Sequence, residues 1–406
     1  MKKILDAWRK TNLILRISCG IVLGAILGIV IPKAEMIGYL GTLFVGALKA
    51  VAPLLVFLLV MSSLSKAGEG IGAKFRNVII LYMLSTFIAA VVAVAVHYCF
   101  PLKVALSEQY VSSTAPQSLK VIFGNLLASI VENPVSALAA GNYLGILFWA
   151  VIIGLGLKAV GNGTAIDVIA GLADTVSKVV GWVIRCAPFG ILGIVFTAVS
   201  SNGLAIFSSY GLLILELVAT MLFVMLVTNP LIMFICTREN PYPLMFTCIR
   251  SSAFSAFFTR SSAANIPINM SLCERLGLDK DFYSVSIPLG STINMDGAAV
   301  VITIMSLTLA RTLGITVPFP MAVLLALVST LAACGTSGVA GGSLLLIPMA
   351  CSLMGISSDT AMQMVAVGFV IGVIQDSMET ALNSCSDVFF TATAEKMAQN
   401  AARKGK

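Results

Sequence analysis

The sequence predicts an all-α polytopic membrane protein with eight transmembrane helices and two re-entrant helical hairpins. Of its 406 residues, 58% are hydrophobic and only 11% are charged, and the mean hydropathy is +1.01. A soluble domain carries about 25% charged residues, so most of this apolar surface has to face lipid rather than water. The composition therefore excludes a soluble enzyme, a nucleic-acid-binding protein and a disordered linker protein.

The positions of the basic residues predict the orientation in the membrane. The net charge is +7, and basic side chains cluster at both ends of the chain and between Lys66 and Arg76. Because basic residues are retained on the cytoplasmic side, both termini and this loop are expected to be cytoplasmic. Two cytoplasmic termini require an even number of crossings. The expected spans are 13–31, 36–64, 77–102, 120–160, 166–200, 210–236, 282–310 and 360–395.

Cysteine and histidine give no sign of a disulfide framework or of a transition-metal centre. The nine cysteines are scattered without a C-x-x-C pair, and His97 is the only histidine. His97 lies near the end of a predicted helix and is expected at the membrane interface. The single acidic residue of the sixth span, Glu216, is expected at a helix end or at the interface, and neither residue is assigned a role.

The segment 312–358 contains no charged residue, yet it is too long for one crossing. Its middle, Gly335 to Ser343, is too rich in glycine for a lipid-facing helix. The apolar arms on either side, Met321–Cys334 and Leu344–Met354, are each shorter than the roughly 17 residues that a crossing needs. Short arms around a flexible tip predict a re-entrant hairpin, with two ordinary spans and an outer loop as the alternative.

An earlier segment, 241–273, has the same organisation. Its arms enclose a small, hydroxyl-rich tip from Thr259 to Asn265, and Pro267 follows. Irregular backbone at membrane depth is tolerated only where it is buried in protein or lines a water-filled cavity. Two interrupted segments indicate the binding site of a transporter, and half-helix N-termini favour an anionic carboxylate there. Two ordinary spans are the alternative here as well.

Asp296 lies at the start of a long apolar run and is expected near the middle of the membrane. An ionised carboxylate there costs at least ~2.5–3.5 kcal/mol unless a partner offsets it. Gly290 and Gly297 bracket a stretch in which the helix can loosen and turn its carbonyl groups inward. With Asn294 and Met295 nearby, the ligand atoms suit a hard monovalent cation better than zinc or copper. The alternative is a structural aspartate paired with a buried lysine or arginine.

The last span carries acidic, hydroxyl and amide side chains at intervals of four, three and four positions, which places them on one face of the helix. They are Asp376, Thr380, Asn383 and Asp387, with Glu379 on the flank. Because the span contains no basic residue, its acids are expected to face cations or an ammonium group inside the protein. The alternative is an amphipathic cytoplasmic helix that follows a shorter span.

Four motifs, in this order along the chain, carry a family resemblance. They are TRSSAANIP at 259–267, GSTINMDG at 290–297, GTSGVAGGS at 335–343, and the set formed by Asp376, Thr380, Asn383 and Asp387. Through them, essentially the whole chain resembles the dicarboxylate/amino acid:cation symporter family, the glutamate-transporter homologues. Within that family, residues 40–53 and 375–383 most resemble the bacterial branch that carries serine and threonine with sodium.

The resemblance implies a homotrimer in the bacterial inner (plasma) membrane, with an independent elevator-type pathway in each protomer. A scaffold domain would hold a transport domain that slides across the membrane, with the second hairpin as the extracellular gate. The scaffold would comprise spans 1 and 2 (1–76) and spans 4 and 5 (103–205). The transport domain would comprise span 3 (77–102), span 6 (206–240), the first hairpin (241–273), span 7 (280–311), the second hairpin (312–358) and span 8 (359–397), before a basic cytoplasmic tail (398–406).

The resemblance also implies the site residues. Substrate contacts fall on Ser261, Ser262, Gly338, Val339, Asp376, Glu379, Thr380 and Asn383. One sodium site falls on Gly290, Asn294, Asn383 and Asp387, and a second on Thr292, Met295, Ala333, Cys334 and Thr336. A third falls on Tyr82, Ser85, Thr86, Asn294 and Asp296; taken alone, the hydroxyl patch of the third span reads as structural. Sodium is the coupling ion, and no cofactor is expected.

One departure from the family pattern predicts the substrate. Members that carry acidic substrates have an arginine at the position of Glu379, where it binds the second carboxylate of the substrate. A glutamate there would repel aspartate and glutamate in a desolvated site. The prediction is therefore sodium-coupled import of L-serine and L-threonine, whose small neutral side chains fit, by a transporter that is not an enzyme.

Three alternatives stay open on the sequence. The nearest is a sodium- or proton-coupled dicarboxylate or acidic amino acid symporter, which Glu379 disfavours. Coupling to protons is the second, because Asp296 and Glu379 can titrate. The most remote is an intramembrane aspartyl protease with Asp296 and Asp376 as its dyad, because the Gly-x-Gly-Asp context of such enzymes is missing.

Overall fold

The computed structural model describes residues 13–66, 72–106, 131–140, 142–334, 336 and 341–404. Every regular element in these ranges is a helix, and none is a strand. A helix satisfies its backbone hydrogen bonds within itself, which is what a lipid environment requires. The predicted all-α class is confirmed.

The described residues of the first half of the chain form seven α-helices. They are α1 (Leu13–Val30), α2 (Gly38–Lys66), α3 (Gly72–Cys99), α4 (Pro134–Ala140), α5 (Tyr143–Val160), α6 (Gly163–Arg185) and α7 (Ala187–Asn202). Asn142 and Asn162 begin α5 and α6, because each side-chain oxygen accepts a hydrogen bond from a first-turn backbone N–H. Gly161 ends α5 in the left-handed conformation that glycine adopts without strain.

Ten α-helices follow in the described residues of the second half. They are α8 (Ile206–Phe223), α9 (Asn229–Thr237), α10 (Tyr242–Cys248), α11 (Phe254–Thr259), α12 (Ser262–Arg275), α13 (Lys280–Ile293), α14 (Asp296–Thr312), α15 (Phe319–Ala333), α16 (Ile347–Ser352) and α17 (Ser358–Lys404). The π-helical turns Val224–Thr228 and Ile249–Ala253 join α8 to α9 and α10 to α11. The last helix extends to Lys404, so residues 398–404 of the predicted tail continue it.

The predicted fifth span, 166–200, consists of two helices instead of one straight helix. α6 and α7 meet at Cys186 and are bent by 54°. Pro188 lies in the first turn of α7, where its missing N–H leaves no helical bond unmade. The chain therefore begins a new helix at this point in a different direction.

Four helical segments in the described ranges are long and apolar enough to cross a membrane. They are Lys74–Cys99, Phe207–Thr237, Lys280–Thr312 and Ser358–Ala401, and the bent pair α6 and α7 would make a fifth. Several shorter apolar helices accompany them, among them Leu15–Val30 and Phe319–Ala333. The protein is a multi-pass membrane protein, and the number of eight crossings stays a prediction.

Helix α14 forms the centre of the fold. Every residue from Asp296 to Ala310 is buried, and the helix packs against α3, α15 and α17. A helix that is buried on all sides does not face lipid, so its polar side chains can form hydrogen bonds only with groups inside the protein. This placement accounts for the long uncharged stretch that follows Asp296.

The contacts divide the helices into two packed groups. In one group, α1 packs on α7, and α2 packs on α5, α6 and α7. In the other, α3, α8 to α13, α15 and α16 pack mainly around α14 and α17. The groups meet where the short turn Ser343–Leu346 contacts α2, where α16 contacts α5, and where α17 contacts α7.

His97 and Glu216 are buried in the protein and contact each other, a pairing that the sequence analysis did not predict. The two residues are 4% and 7% exposed, and His97 Nδ1 lies 3.0 Å from Glu216 Oε1. His97 lies in the last turn of α3, and Glu216 lies within α8, 119 positions later in the sequence. Nothing in either local sequence pointed to the other residue.

Candidate functional site

A helix break at Asn294 and Met295 forms the centre of the candidate site. Neither residue has helical backbone angles, with φ and ψ of −94° and 82° at Asn294 and −122° and 52° at Met295. The break lies between Gly290 and Gly297, as predicted. It releases backbone and side-chain groups that a continuous helix would use internally. Gly297 allows the close approach of α17, because a Cβ atom there would lie 2.7 Å from the Glu379 carbonyl oxygen.

Asp296 is fully buried and accepts three hydrogen bonds from neutral side chains. Ser85 and Thr86 of α3 donate to its Oδ1 at 2.9 and 3.1 Å. Asn229, the first residue of α9, donates from Nδ2 to its Oδ2 at 2.9 Å. Among the residues that the structure describes, no lysine or arginine pairs with Asp296. The alternative, a structural aspartate paired with a buried lysine or arginine, is therefore wrong for the described residues.

Asp387 is the second fully buried carboxylate of this region. Asn294 donates from Nδ2 to its Oδ1 at 2.9 Å, whereas its Oδ2 has no hydrogen-bond partner within the described ranges. Gly290 lies directly against it, since a Cβ atom there would be 2.7 Å from Oδ1. A buried carboxylate oxygen without a donor raises the free energy of the folded protein, and a bound cation would lower it.

Asn294 connects the two carboxylates. Its Oδ1 lies 3.3 Å from Ser85 Oγ, while its Nδ2 donates to Asp387. The backbone carbonyl oxygen of Tyr82 lies 3.0 Å from Ser85 Oγ and 2.8 Å from Thr86 Oγ1, whereas the Tyr82 hydroxyl lies against α17. The structure thus brings together the residues that the resemblance assigns to two of the three sodium sites.

The remaining set of cation residues meets where α13 and α15 end. Cys334 Sγ donates to the carbonyl oxygen of Ile293 at 3.5 Å. Thr336 bonds back to the carbonyl of Ala333, at 3.0 Å from its N and 2.9 Å from its Oγ1. The hydroxyl of Thr292 donates within its own helix at 2.7 Å. Backbone carbonyls at two helix ends are ligands that suit a hard cation.

A small cavity adjoins these groups. Five of the eight predicted substrate contacts line it, with one further side chain from each of the first hairpin, the helix break and the second hairpin. The lining residues are Arg260, Ser262, Met295, Thr336, Asp376, Glu379, Thr380 and Asn383. Ser261 begins α12 beside the cavity, where its Oγ accepts from the backbone N–H of Ala264 at 3.2 Å. Gly338 and Val339 lie outside the described residues.

Asp376 has a basic partner, which the sequence analysis missed. Arg260, at the tip of the first hairpin, donates from Nε and Nη2 to Asp376 Oδ2, each at 2.7 Å. The backbone N–H of Gly341 donates to Oδ1 at 3.3 Å. Arg260 ends α11 in the left-handed conformation, with φ 52°. The acids of the last span were expected to face a cation or an ammonium group, and at Asp376 that cation is the Arg260 guanidinium.

Glu379 is held by two uncharged groups. Ser343 Oγ and Gln375 Nε2 both donate to its Oε2, at 2.7 and 2.5 Å. Gln375 precedes it by one helical turn, so helix periodicity could have identified this neighbour. Ser343 is the last residue of the tip of the second hairpin, and no sequence signal linked it to Glu379.

Asn383 and Thr380 complete the α17 wall of the cavity. Asn383 Oδ1 accepts from the backbone N–H of Gly297 at 2.7 Å, which leaves its amide NH₂ as the group that can donate to a ligand. Thr380 Oγ1 donates to the carbonyl of Asp376 at 2.8 Å. Each of these bonds fixes the orientation of a side chain that lines the cavity.

A buried network of amides and hydroxyls holds the first hairpin against α17. Asn265 donates to Ser384 Oγ at 2.7 Å, Ser252 donates to Asn269 Oδ1 at 2.6 Å, and Asn269 donates to the Ser384 carbonyl at 3.1 Å. All four side chains are fully buried. The network joins both arms of the hairpin to the helix that carries Asp376. It therefore holds the hairpin tip at a position from which Arg260 contacts Asp376. Only Asn265 lay in a motif that the sequence analysis had noted.

Comparison with known proteins decides the family. Residues 13–397 match the sodium:dicarboxylate symporter family. The serine/threonine transporter SstT of Streptococcus agalactiae serotype III is 58% identical over 397 residues, which cover 98% of each chain. The proteins of the same name from Streptococcus thermophilus and Bifidobacterium adolescentis are 53% and 55% identical; the alignments cover 98% and 97% of this chain and 98% and 92% of those relatives. The chain belongs to the sodium:dicarboxylate symporter family.

Membership of the sodium:dicarboxylate symporter family makes the protein a transporter and not an enzyme. It confirms the predicted family and removes the intramembrane protease from consideration. Among the described residues no group of three or more His, Cys, Asp or Glu side chains could hold a metal ion. Asp296, Asp387 and Glu379 are instead contacted by amide and hydroxyl groups, whose oxygen atoms are ligands that suit hard cations.

Proposed function

We propose that the protein is a sodium-coupled symporter that imports L-serine and L-threonine across the bacterial inner (plasma) membrane. The relatives named serine/threonine transporter support the substrate, and the family description supports sodium. The observation that carries the proposal is the pair Asp296 and Asp387. Both carboxylates are fully buried, are contacted by neutral donors, and adjoin a cavity that contains two further acids.

The substrate would bind by exchange of cations at Asp376. Arg260 now donates to this carboxylate at the place where an α-ammonium group would bind. An exchange of guanidinium for ammonium keeps Asp376 paired throughout, and so avoids the cost of an uncompensated buried charge. The substrate carboxylate would accept from the Asn383 amide and from backbone N–H groups of the hairpin tips, and the hydroxyl would bond to Glu379.

Coupling between ion and substrate would pass through Asn294 and Asn383. Asn294 donates to Asp387 on the ion side, and its Nδ2 also lies 3.5 Å from the Asn383 carbonyl. Asn383 in turn lines the cavity. An ion that reorients Asn294 would therefore shift Asn383, whose amide would donate to the substrate. Coupling requires such a contact, which differs between the states with and without the ion.

The two packed groups of helices support an elevator mechanism as part of the proposal. The group of α1, α2, α5, α6 and α7 corresponds to the scaffold, and the group around α14 and α17 carries every described site residue. The second group would move as the transport domain. Eight crossings, cytoplasmic termini and a homotrimer complete the proposal, as the family resemblance implies.

Counterflow of labelled serine in reconstituted liposomes tests the proposed function. We expect uptake with sodium, little uptake when potassium replaces it, competition by threonine, and weak competition by aspartate. Equal uptake in potassium would overturn the sodium coupling. Uptake driven by a pH gradient at constant sodium would favour the proton-coupled alternative.

Arg260 is the one observation that favours a dicarboxylate carrier instead. Once released from Asp376, its guanidinium would lie in the cavity and could pair with a second substrate carboxylate. Glu379 lines the same cavity and opposes this pairing. Strong competition by aspartate in the counterflow experiment would decide for the dicarboxylate carrier.

A further inference from the structure

Asn229 is a buried amide that the family motifs do not include. It is 1% exposed, and its only described hydrogen bond from the side chain is the one from Nδ2 to Asp296 Oδ2, at 2.9 Å. Its Oδ1 is buried and has no hydrogen-bond partner in the described part of the chain. A buried amide oxygen without a donor lowers the stability of the folded protein by roughly 1–3 kcal/mol, which indicates a function for Asn229 other than stability.

The local backbone is shaped to place Asn229 at Asp296. The π-helical turn Val224–Thr228 comes directly before it, and the Asn229 N–H bonds to the carbonyl of Val224, five residues back. Pro230 follows at the start of α9 and has no N–H to donate. A π-helical turn inserts one extra residue and rotates the following side chains, and such turns occur frequently at functional sites.

Asn229 also completes the set of contacts around the carboxylate. Ser85 and Thr86 both donate to Oδ1, so Oδ2 receives its hydrogen bond from Asn229. The two ends of a carboxamide have nearly the same shape, and a half turn exchanges the donor for the acceptor without displacing neighbours. The same side chain can therefore donate to the carboxylate or present an oxygen to a cation beside it.

We propose that Asn229 is a further residue of the cation site at Asp296: it positions the carboxylate through its N–H and, with the amide turned, offers its oxygen to sodium. This inference rests on the proposed sodium coupling. A carboxamide oxygen is a ligand of the kind that hard cations take. The site then draws ligands from α3, α9 and the helix break before α14.

The test measures how sodium affects the full-length protein. Thermal unfolding of purified protein is followed against NaCl, with choline chloride keeping the ionic strength constant, and serine counterflow is measured over the same sodium range. Asn229→Ala should raise the sodium concentration for half-maximal effect about tenfold, as expected for one lost ligand. At saturating sodium, serine affinity should stay within about twofold of the original, because Asn229 does not line the substrate cavity.

Thr228→Ala is the matched control. Thr228 is the preceding residue, also buried, and its hydroxyl donates only to the carbonyl of Val224 at 3.0 Å. A purely structural role for Asn229 would lower the unfolding temperature equally in sodium and in choline, and would leave the half-maximal concentration unchanged. That result would overturn the inference. If the unmodified protein showed no sodium response, the proposed function would fail instead.

A double mutant tests whether Asn229 and Asp296 act on the same ion. Asp296→Asn alone should weaken the sodium response, and the further change Asn229→Ala should add little, because both residues act on one ion. Fully additive shifts would contradict a shared site. Where the alanine variant does not insert or fold, Asn229→Ser keeps a small polar group and should give a smaller shift in the same direction.

Discussion

The buried aspartates in the described part of this protein fall into two clusters with different partners. Asp376 is paired with the Arg260 guanidinium at 2.7 Å. Asp296 and Asp387, on the other side of the helix break, contact only amide and hydroxyl groups and backbone within the described ranges. Asp376 and Asp387 lie on the same helix, α17, yet among the described residues only the first cluster contains its own cation.

This difference indicates what each cluster can bind. A carboxylate with a built-in cation is stable by itself, and a ligand must bring an equivalent positive charge to replace that partner. A carboxylate that is surrounded by neutral donors keeps its net charge, so a cation from solution neutralises it without displacing anything. The first arrangement suits the ammonium group of an amino acid, and the second suits a sodium ion.

The largest expected effect comes from Asp376→Ala. Removal of one partner from a buried ion pair leaves the Arg260 charge uncompensated, which should destabilise the protein by about 3–5 kcal/mol. Serine binding should be lost, whereas stabilisation by sodium should persist because the other cluster is intact. Unfolding curves with and without NaCl, together with labelled serine binding, measure both effects.

Ser377→Ala is the control for this change. Ser377 is the adjacent residue, and its hydroxyl donates within its own helix to Val373 at 2.8 Å. Wild-type serine affinity in Asp376→Ala would contradict the assignment of the ammonium site.

Asp387→Asn should have the opposite effect on stability. The change removes a buried charge whose Oδ2 has no described partner, so the protein in choline chloride should be as stable as before or more stable by about 1–3 kcal/mol. The stabilisation by sodium should decrease strongly. Thr393→Ala, whose lost hydroxyl bonds only to Phe389, serves as the control. A variant that is less stable in choline and still responds fully to sodium would show that the two clusters do not differ as described.

Glu379→Gln should alter selectivity more than stability. The amide keeps nearly the same shape but removes the negative charge that faces the cavity, so competition by aspartate should improve about tenfold. Serine affinity should change less, by about fivefold, because a neutral acceptor still remains for the hydroxyl. Inhibition of serine counterflow by increasing aspartate measures the change. Unaltered exclusion of aspartate would mean that Glu379 does not select the substrate.

The smallest effect is expected at an exposed acid. Asp279 begins α13, and the Lys74 ammonium group at 2.9 Å lowers the pKa of this carboxyl group below its usual value. A lowered pKa stabilises the folded protein above the unfolded-state pKa of about 3.9, and this contribution is lost as the pH falls through the folded-state value. Because solvent screens the pair, Asp279→Asn should barely change the unfolding temperature at neutral pH. A large change there would show that exposure does not distinguish this acid from the buried ones.

The helical elements follow from local sequence, and most of them could be predicted. The break between Gly290 and Gly297 and the interruption of the first hairpin after Thr259 depend on residues that are close in sequence. The shared face of Asp376, Thr380 and Asn383 follows from helix periodicity. The bend at Cys186 was missed, because a continuous apolar composition hides a change in helix direction.

The partners of the buried charges could not be predicted in the same way. Arg260 and Asp376 are 116 positions apart, His97 and Glu216 are 119 apart, and Asn229 and Asp296 are 67 apart. Each pair depends on which helices pack together. Hydrophobic periodicity indicates which face of a helix is buried, but it contains no information on which other helix covers that face.

The sequence by itself determined the membrane-embedded helical class, the family motifs and the presence of acids where lipid does not tolerate them. Only the tertiary structure decided which of those acids has an arginine and which has amides and hydroxyls. The physical reason is that burial removes water as a partner, so the remaining interactions of a charge depend on the groups that packing places within a few ångströms. That packing distinguishes an ammonium site from a sodium site among residues of the same type.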